Sequence, residues 1–154
     1  MRVGCLRFLL WQTGVLACSL LSAFTATANE GILGDNQRIH SNHLGYELQY
    51  RIYKPAEIPA NASLPTLYVT DGQSYLDEGN FKAILDNAIE SGMIEPILVV
   101  FLDSRNPDKL EENRRNSEFM CNTDYAGFFA RELIPTISSE QAVSLLRDDR
   151  VILG

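Results

Sequence analysis

The chain has 154 residues, and its 20 acidic side chains against 13 basic ones give a formal charge of −7. That balance argues against nucleic acid and anionic membrane surfaces as partners, since both repel an acidic protein. The length suits one domain around one hydrophobic core.

The first 28 residues read as a leader. Arg2 and Arg7 make a positive start, Phe8 to Phe24 carries no charge, and Ala26-Thr27-Ala28 precedes the polar pair Asn29-Glu30. This three-part layout predicts a secretory signal peptide over 1–28, cleaved after Ala28. A membrane anchor is the alternative, but Gln12, Thr13 and Gly14 interrupt the apolar run. A lipoprotein reading at Cys18 is weakened by the bulky Leu16 and by the apolar residues beyond it. The mature chain of 126 residues then carries 11 basic and 20 acidic side chains, a formal charge of −9. Its expected location is secreted or periplasmic, with no membrane contact once the leader is gone.

Cys5 and Cys18 leave with the leader, so Cys121 stands alone and no internal disulfide can form. A nucleophilic cysteine needs a base, and the two histidines, His40 and His43, lie far upstream. Cys121 is therefore read as a small buried hydrophobe.

From Tyr46 to Tyr53 the residues alternate, with Tyr46, Leu48, Tyr50 and Ile52 on one face and Glu47, Gln49 and Arg51 on the other. Period two predicts a strand. His43-Leu44-Gly45 is the turn from a shorter preceding strand, and Pro55 ends the hairpin. Pro55 to Ser63 reads as a loop, with a glycosylation sequon at Asn61. Thr66 to Thr70 is a short buried strand, followed by a polar loop from Asp71 to Asn80. Phe81, Ile84, Leu85, Ala88 and Ile89 recur on one helical face, and Gly92 stops that helix.

Ile97 to Leu102 is a second buried strand, and Asp103 to Thr123 a long charged loop. A second helix runs from about Asp124, capped by Asn122 or Thr123, with Tyr125, Phe128, Phe129 and Leu133 on one face. Pro135 is expected to kink or close it. Residues 138–149 form a polar connection, and Val151 to Leu153 a third buried strand. The alternation of apolar strands and helices predicts an α/β fold with a mostly parallel sheet and flanking helices, the Thr66–Thr70 strand central among the three. No metal-ligand cluster, phosphate loop or dinucleotide fingerprint is present, so no metal and no cofactor is expected.

In an open α/β sheet, ligands bind beyond the carboxyl ends of the strands. The stretches LPTLYVTDGQSYLDEGNF, ILVVFLDSRN, NRRNSEFMCN, FFARELIP and RVILG, in this order, resemble the first half of an esterase family of α/β-hydrolases. That family includes the enterochelin esterases, feruloyl esterases and esterase D type enzymes. The resemblance covers most of residues 38–154. It implies carboxylic ester hydrolysis by a Ser-His-Asp/Glu triad on a small-molecule substrate.

It also implies that RVILG leads into a G-x-S-x-G nucleophile elbow, with the serine two residues past Gly154 and the acid and histidine further on. Residues 29–154 are then the N-terminal part of the esterase domain, ending before the nucleophile and inactive alone. The missing strand and helix would leave Val151 to Leu153 as an open edge and one sheet face short of a helix.

The resemblance places Asp71-Gly72 at the tight turn after the first buried strand and gives the backbone N–H of Gln73 to an oxyanion hole. Arg114 and Arg115 are candidates to meet a substrate carboxylate or phenolate. The reading we favour for them is an internal Arg–Glu clamp with Glu118. His40 and His43 are surface or turn residues. A second reading of the whole chain is a non-catalytic secreted binding protein that keeps part of the hydrolase scaffold.

Overall fold

Alternating polarity puts Tyr46–Lys54 into a strand that buries a different core on each face. The computed structural model describes residues 29–154, so the predicted leader lies outside the described residues. In chain order the strands are β1 (Ile32–Leu33), β2 (Gln37–Ser41), β3 (Tyr46–Lys54) and β4 (Thr66–Val69), then helices α1 (Gly72–Asp77) and α2 (Phe81–Glu90). There follow β5 (Leu98–Asp103), β6 (Arg105–Asn106), β7 (Lys109–Asn113), α3 (Arg115–Phe119) and α4 (Thr123–Phe128). A π-helical turn over Phe129–Leu133, α5 (Ile134–Glu140) and β8 (Arg150–Leu153) complete the order.

The main sheet runs β1-β3-β5-β4-β8, with β2 paired to β3 as the expected hairpin. β4 pairs in parallel with β5 on one side and with β8 on the other, so the Thr66 strand is central among the three, as its neighbours predict. β3 joins β5 antiparallel.

β5 is apolar without alternation because both of its faces are covered. Leu98, Val100 and Leu102 point to a core under α4, the π-turn and α5, while Val99 and Phe101 point to a core under α1 and α2. All five are at most 2% exposed, and burying such a side chain is worth roughly 1.5–3 kcal/mol. Helices thus pack on both faces of the sheet. Val151 and Ile152 remain exposed on β8, which has no strand on its outer side among the described residues.

α2 forms at its predicted place and ends in a Schellman arrangement. Gly92 has φ +68°, its N–H bonds Ile89 O at 3.0 Å, and Met93 N–H bonds Ala88 O at 2.9 Å. Four expectations need correction. Residues 72–77 are helical rather than loop. The charged stretch after β5 holds the β6–β7 hairpin and α3. The polar connection starts only after α5 and is stitched to the core by a bridge between Leu64 and Val143. The second helix continues past Pro135 to Glu140.

The π-turn explains that last point. Proline has no N–H and its ring crowds the carbonyl four residues back. Widening the preceding turn removes the clash, and the helix goes on. Asn122 caps this helix as expected, accepting from Asp124 N at 2.8 Å and Tyr125 N at 3.0 Å.

Candidate functional site

The parallel pairing of β4 and β8 sets their carboxyl ends side by side. Thr70 N donates to Leu153 O at 2.8 Å, and a Cβ on Gly154 would overlap Thr70 Oγ1. Directly after Thr70 the chain turns sharply. Asp71 takes the left-handed conformation at φ 54°, and Gly72 opens α1. A Cβ on Gly72 would stand 2.6 Å from Phe101 Cβ, so glycine is required there by the approach of the turn to β5. Gln73 follows in the first turn of α1, where N–H groups have no intrahelical acceptor.

The Asp71 side chain fastens this turn to the next loop. Its Oδ1 accepts from Ser104 Oγ at 2.8 Å, and its Oδ2 lies 2.9 Å from Arg115 Nη2. Gln73 Nε2 donates to Ser104 Oγ at 3.4 Å. Asn113 Oδ1 accepts from Arg115 N at 2.9 Å, and Arg114 N donates to Ser104 O at 2.9 Å. Ser104 is buried at the centre of this loop lock, and no sequence motif marks it.

The two arginines diverge. Arg115 is half exposed and pairs with Asp71. Arg114 lies over the Tyr46 ring, 4.2 Å from its centroid, donates to Glu47 O at 3.1 Å and approaches Glu112 at 3.5 Å. Neither forms an ion pair with Glu118, so the favoured Arg–Glu118 clamp does not close. Glu118 is instead only 2% exposed and accepts from Tyr46 Oη at 3.1 Å, while its Oε2 has no partner. Burial pushes its carboxyl up to about 7, the Tyr46 hydroxyl and the Arg114 charge draw it down, and Asp71 and Asp103 push it up again. Burial, and next to it the charge of Glu118, raise the Tyr125 hydroxyl well above the ordinary phenol range.

Of these residues, Thr70, Gly154, Glu118 and Tyr125 border an open cleft of about 780 Å³ beside the ends of β4 and β8, whereas Asp71, Gln73, Ser104, Arg114 and Arg115 are not in its lining. Thr70 and Gly154 form its inner end, Glu118 and Tyr125 part of its wall, and Phe129 and Ile134 an apolar side. Cys121 is on the rim and exposed, not buried as expected, because the turn between α3 and α4 puts it at φ 55° facing solvent. His40 lies exposed on β2, and His43 packs in the hairpin turn near Gly127, so neither borders the cleft.

This geometry can be set beside known proteins. Residues 41–154 match the family model Esterase, described as "Putative esterase". The chain belongs to the esterase family. It is 25% identical to the iron(III) enterobactin esterase of Yersinia enterocolitica over 132 residues, 82% of this chain and 36% of that protein.

Among solved structures, the enterobactin esterase of Shigella flexneri determined with enterobactin superposes at a TM-score of 0.66 and 18% identity, over 77% of this chain and 29% of that one. A ferulic acid esterase superposes at 0.63 and 20% identity, over 82% and 48%. The ferulic acid esterase of Anaeromyces mucronatus does so at 0.60 and 14%, over 79% and 47%. The chain thus spans 36% of the length of its curated relative and less than half of these structures. The esterase resemblance and the α/β-hydrolase type of sheet are correct. No helix among the described residues is long and apolar enough to cross a membrane.

Proposed function

We propose that residues 29–154 form the N-terminal part of a secreted or periplasmic serine esterase acting on small-molecule carboxylic esters. The observation that carries this reading is the register of β8 on β4, which sets Gly154 against Thr70, one residue before the Asp71-Gly72 turn. In this reading a G-x-S-x-G elbow begins at Gly154. Its serine attacks the ester carbonyl, a histidine takes the serine proton and hands it to the leaving alkoxide, and an Asp or Glu orients that histidine.

The Gln73 N–H and the N–H following the serine receive the developing oxyanion, each donor worth roughly 2.7–4 kcal/mol. Asp71 and Gly72 hold that donor in place. Arg115, exposed beside the turn, is free to meet an anionic part of the substrate without leaving Asp71 far. The names of the relatives, enterobactin and ferulic acid esterases, support an ester of small size.

The sequence to Gly154 contains no G-x-S-x-G, and both histidines precede β4. The 154-residue chain is therefore expected to show no turnover of a p-nitrophenyl ester above background. A chain extended through the elbow and the remaining triad residues gains turnover, and loses it when the elbow serine becomes alanine. Turnover by the short chain that survives purification and a serine-directed covalent inhibitor overturns the mechanism. The leader over 1–28 is checked by mass spectrometry of exported protein, which should begin at Asn29.

The second reading, a binding protein without catalysis, is favoured by one feature: residues 29–154 alone already wall the cleft. A stop codon directly after Gly154, together with a soluble folded product, selects it. An elbow continuation in any frame selects the esterase.

A further inference from the structure

Glu118 is the titratable group in the cleft wall that the proposed chemistry leaves idle. The groups facing it come from five elements. Tyr46 on β3 bonds its Oε1, Arg114 precedes its own helix, Asp71 stands at the α1 turn, Asp103 ends β5 and Tyr125 lies on α4. Asp71 is paired with Arg115 and Asp103 with Arg105. Arg114 is taken up by Glu112, Glu47 O and the Tyr46 ring.

Oε2 of Glu118 is a buried acceptor with no hydrogen-bond partner. A buried polar atom of this kind is costly unless something completes it. The walls beside it are rings and aliphatic groups, from Phe119, Tyr125, Phe129 and Ile134. The Tyr125 hydroxyl is the one donor among these four, and it makes no hydrogen bond to Oε2; the rings favour a flat apolar body.

We infer that Glu118 is a specificity-determining residue of this cleft, accepting through Oε2 a hydroxyl or amide N–H donor on a ligand whose apolar body lies against Phe119, Tyr125 and Phe129. This rests on the reading of the cleft as the substrate site, and it adds which ligands the cleft prefers. A site built around an unmatched acceptor rejects a ligand that lacks the donor, because the acceptor then stays buried and bare. It also disfavours a ligand carboxylate at Oε2, which would face Glu118 as a like charge.

Binding of a matched probe pair to the full 154-residue chain tests this without any turnover. Benzyl alcohol carries the donor and benzyl methyl ether lacks it. Binding is followed through the backbone amide shifts of residues 118–130. At about pH 8, where the carboxylate form prevails, the alcohol should bind roughly tenfold more tightly than the ether. Glu118→Leu should bind both equally.

At about pH 6 the neutral carboxyl can donate to either probe's oxygen, so the preference of the natural chain should shrink several-fold, roughly in step with its protonation. Tyr46 and Tyr125 stay neutral throughout. If Glu118→Leu does not fold, Glu118→Gln serves, and its preference should no longer change between the two pH values. Equal binding of the probes, no binding of either, a preference surviving in the leucine variant, or a pH-independent preference in the natural chain overturns the assignment. None of these outcomes touches the esterase reading, which is decided by turnover of the serine-bearing chain.

Discussion

Arg115 Nη2 sits 2.9 Å from Asp71 Oδ2, and this pair ties the start of α3 to the turn that begins α1. The two ends of the pair are unequal. Arg115 is 57% exposed in its side chain and Asp71 15%, and Asp71 also accepts from the buried Ser104. Arg115→Ala should cost less than about 1 kcal/mol, as solvent-exposed ion pairs do. Asp71→Ala should cost roughly 2–4 kcal/mol, since it strands the Ser104 hydroxyl and puts alanine into a left-handed conformation. Urea unfolding of the two variants measures the difference, and equal losses would contradict the loop lock.

Gly72→Ala adds a Cβ 2.6 Å from Phe101 Cβ and 2.7 Å from its backbone. The obstacle is a strand in the middle of the sheet, so it cannot swing aside. Stability should fall by about 1–3 kcal/mol or more, and the turn carrying the Gln73 N–H should shift. Thermal unfolding and the amide shift of Gln73 report both effects. An alanine variant as stable as the natural chain would mean that the turn stands further from β5.

Glu118 makes stability depend on pH in a stated direction. Its folded value, about 7, lies above the ordinary 4.5, so its contribution is fully present below pH 4.5 and is lost as pH rises through 7. The loss over that interval is on the order of 3 kcal/mol. Glu118→Gln keeps the shape and removes the titration, so its stability curve should be flatter between those limits. A natural chain whose stability does not fall there would show Glu118 ionised without penalty.

Asp86 works with the opposite sign. Burial pushes its carboxyl up, but bonds from Lys82, Tyr53 and the Gly31 N–H outweigh this and hold it below its usual value. The stability it supplies is present above about pH 4 and lost as pH falls through the lowered folded value. Tyr53→Phe removes a 2.8 Å bond from a buried hydroxyl and should cost about 1 kcal/mol. Acid titration of both chains should show the variant losing less stability between neutral and low pH.

Among the described residues no strand pairs with the outer side of β8, and Val151 and Ile152 are 54% and 60% exposed. Unpaired apolar edges recruit other chains. Val151→Lys should lower self-association of the 154-residue chain in sedimentation velocity while leaving its circular dichroism unchanged. Unchanged association would place the sticky surface elsewhere.

The large elements were legible because their signals are local. Alternation marked β3, continuous apolar runs marked β4, β5 and β8, and helical spacing marked α2 and α4. α1 was missed because what holds it is Gly72 packed on Phe101, a contact invisible in a polar stretch. β7 was missed because all five of its residues are exposed and none is apolar except Leu110. The helix past Pro135 depended on a π-turn that no residue spacing announces. At the candidate site, the tight turn at Asp71-Gly72 was legible through the resemblance. Glu118 was seen but given the wrong partner, since the group that bonds it, Tyr46, lies 72 residues away on another strand.

The π-turn carries Glu132 to the tip of the first hairpin, where its carboxylate accepts from Ser41 Oγ at 2.6 Å and from Asn42 N at 2.9 Å. Ser41 is fully buried, and the contact spans 91 residues of sequence. During synthesis the hairpin therefore emerges long before the segment that locks it, and it must wait with Tyr46 and Ser41 uncovered. The cleft wall at Glu118 depends on that same hairpin, so it can set only after Glu132 has left the ribosome. High sequence separation of this kind makes the wall one of the last parts to order and slows the folding of the whole.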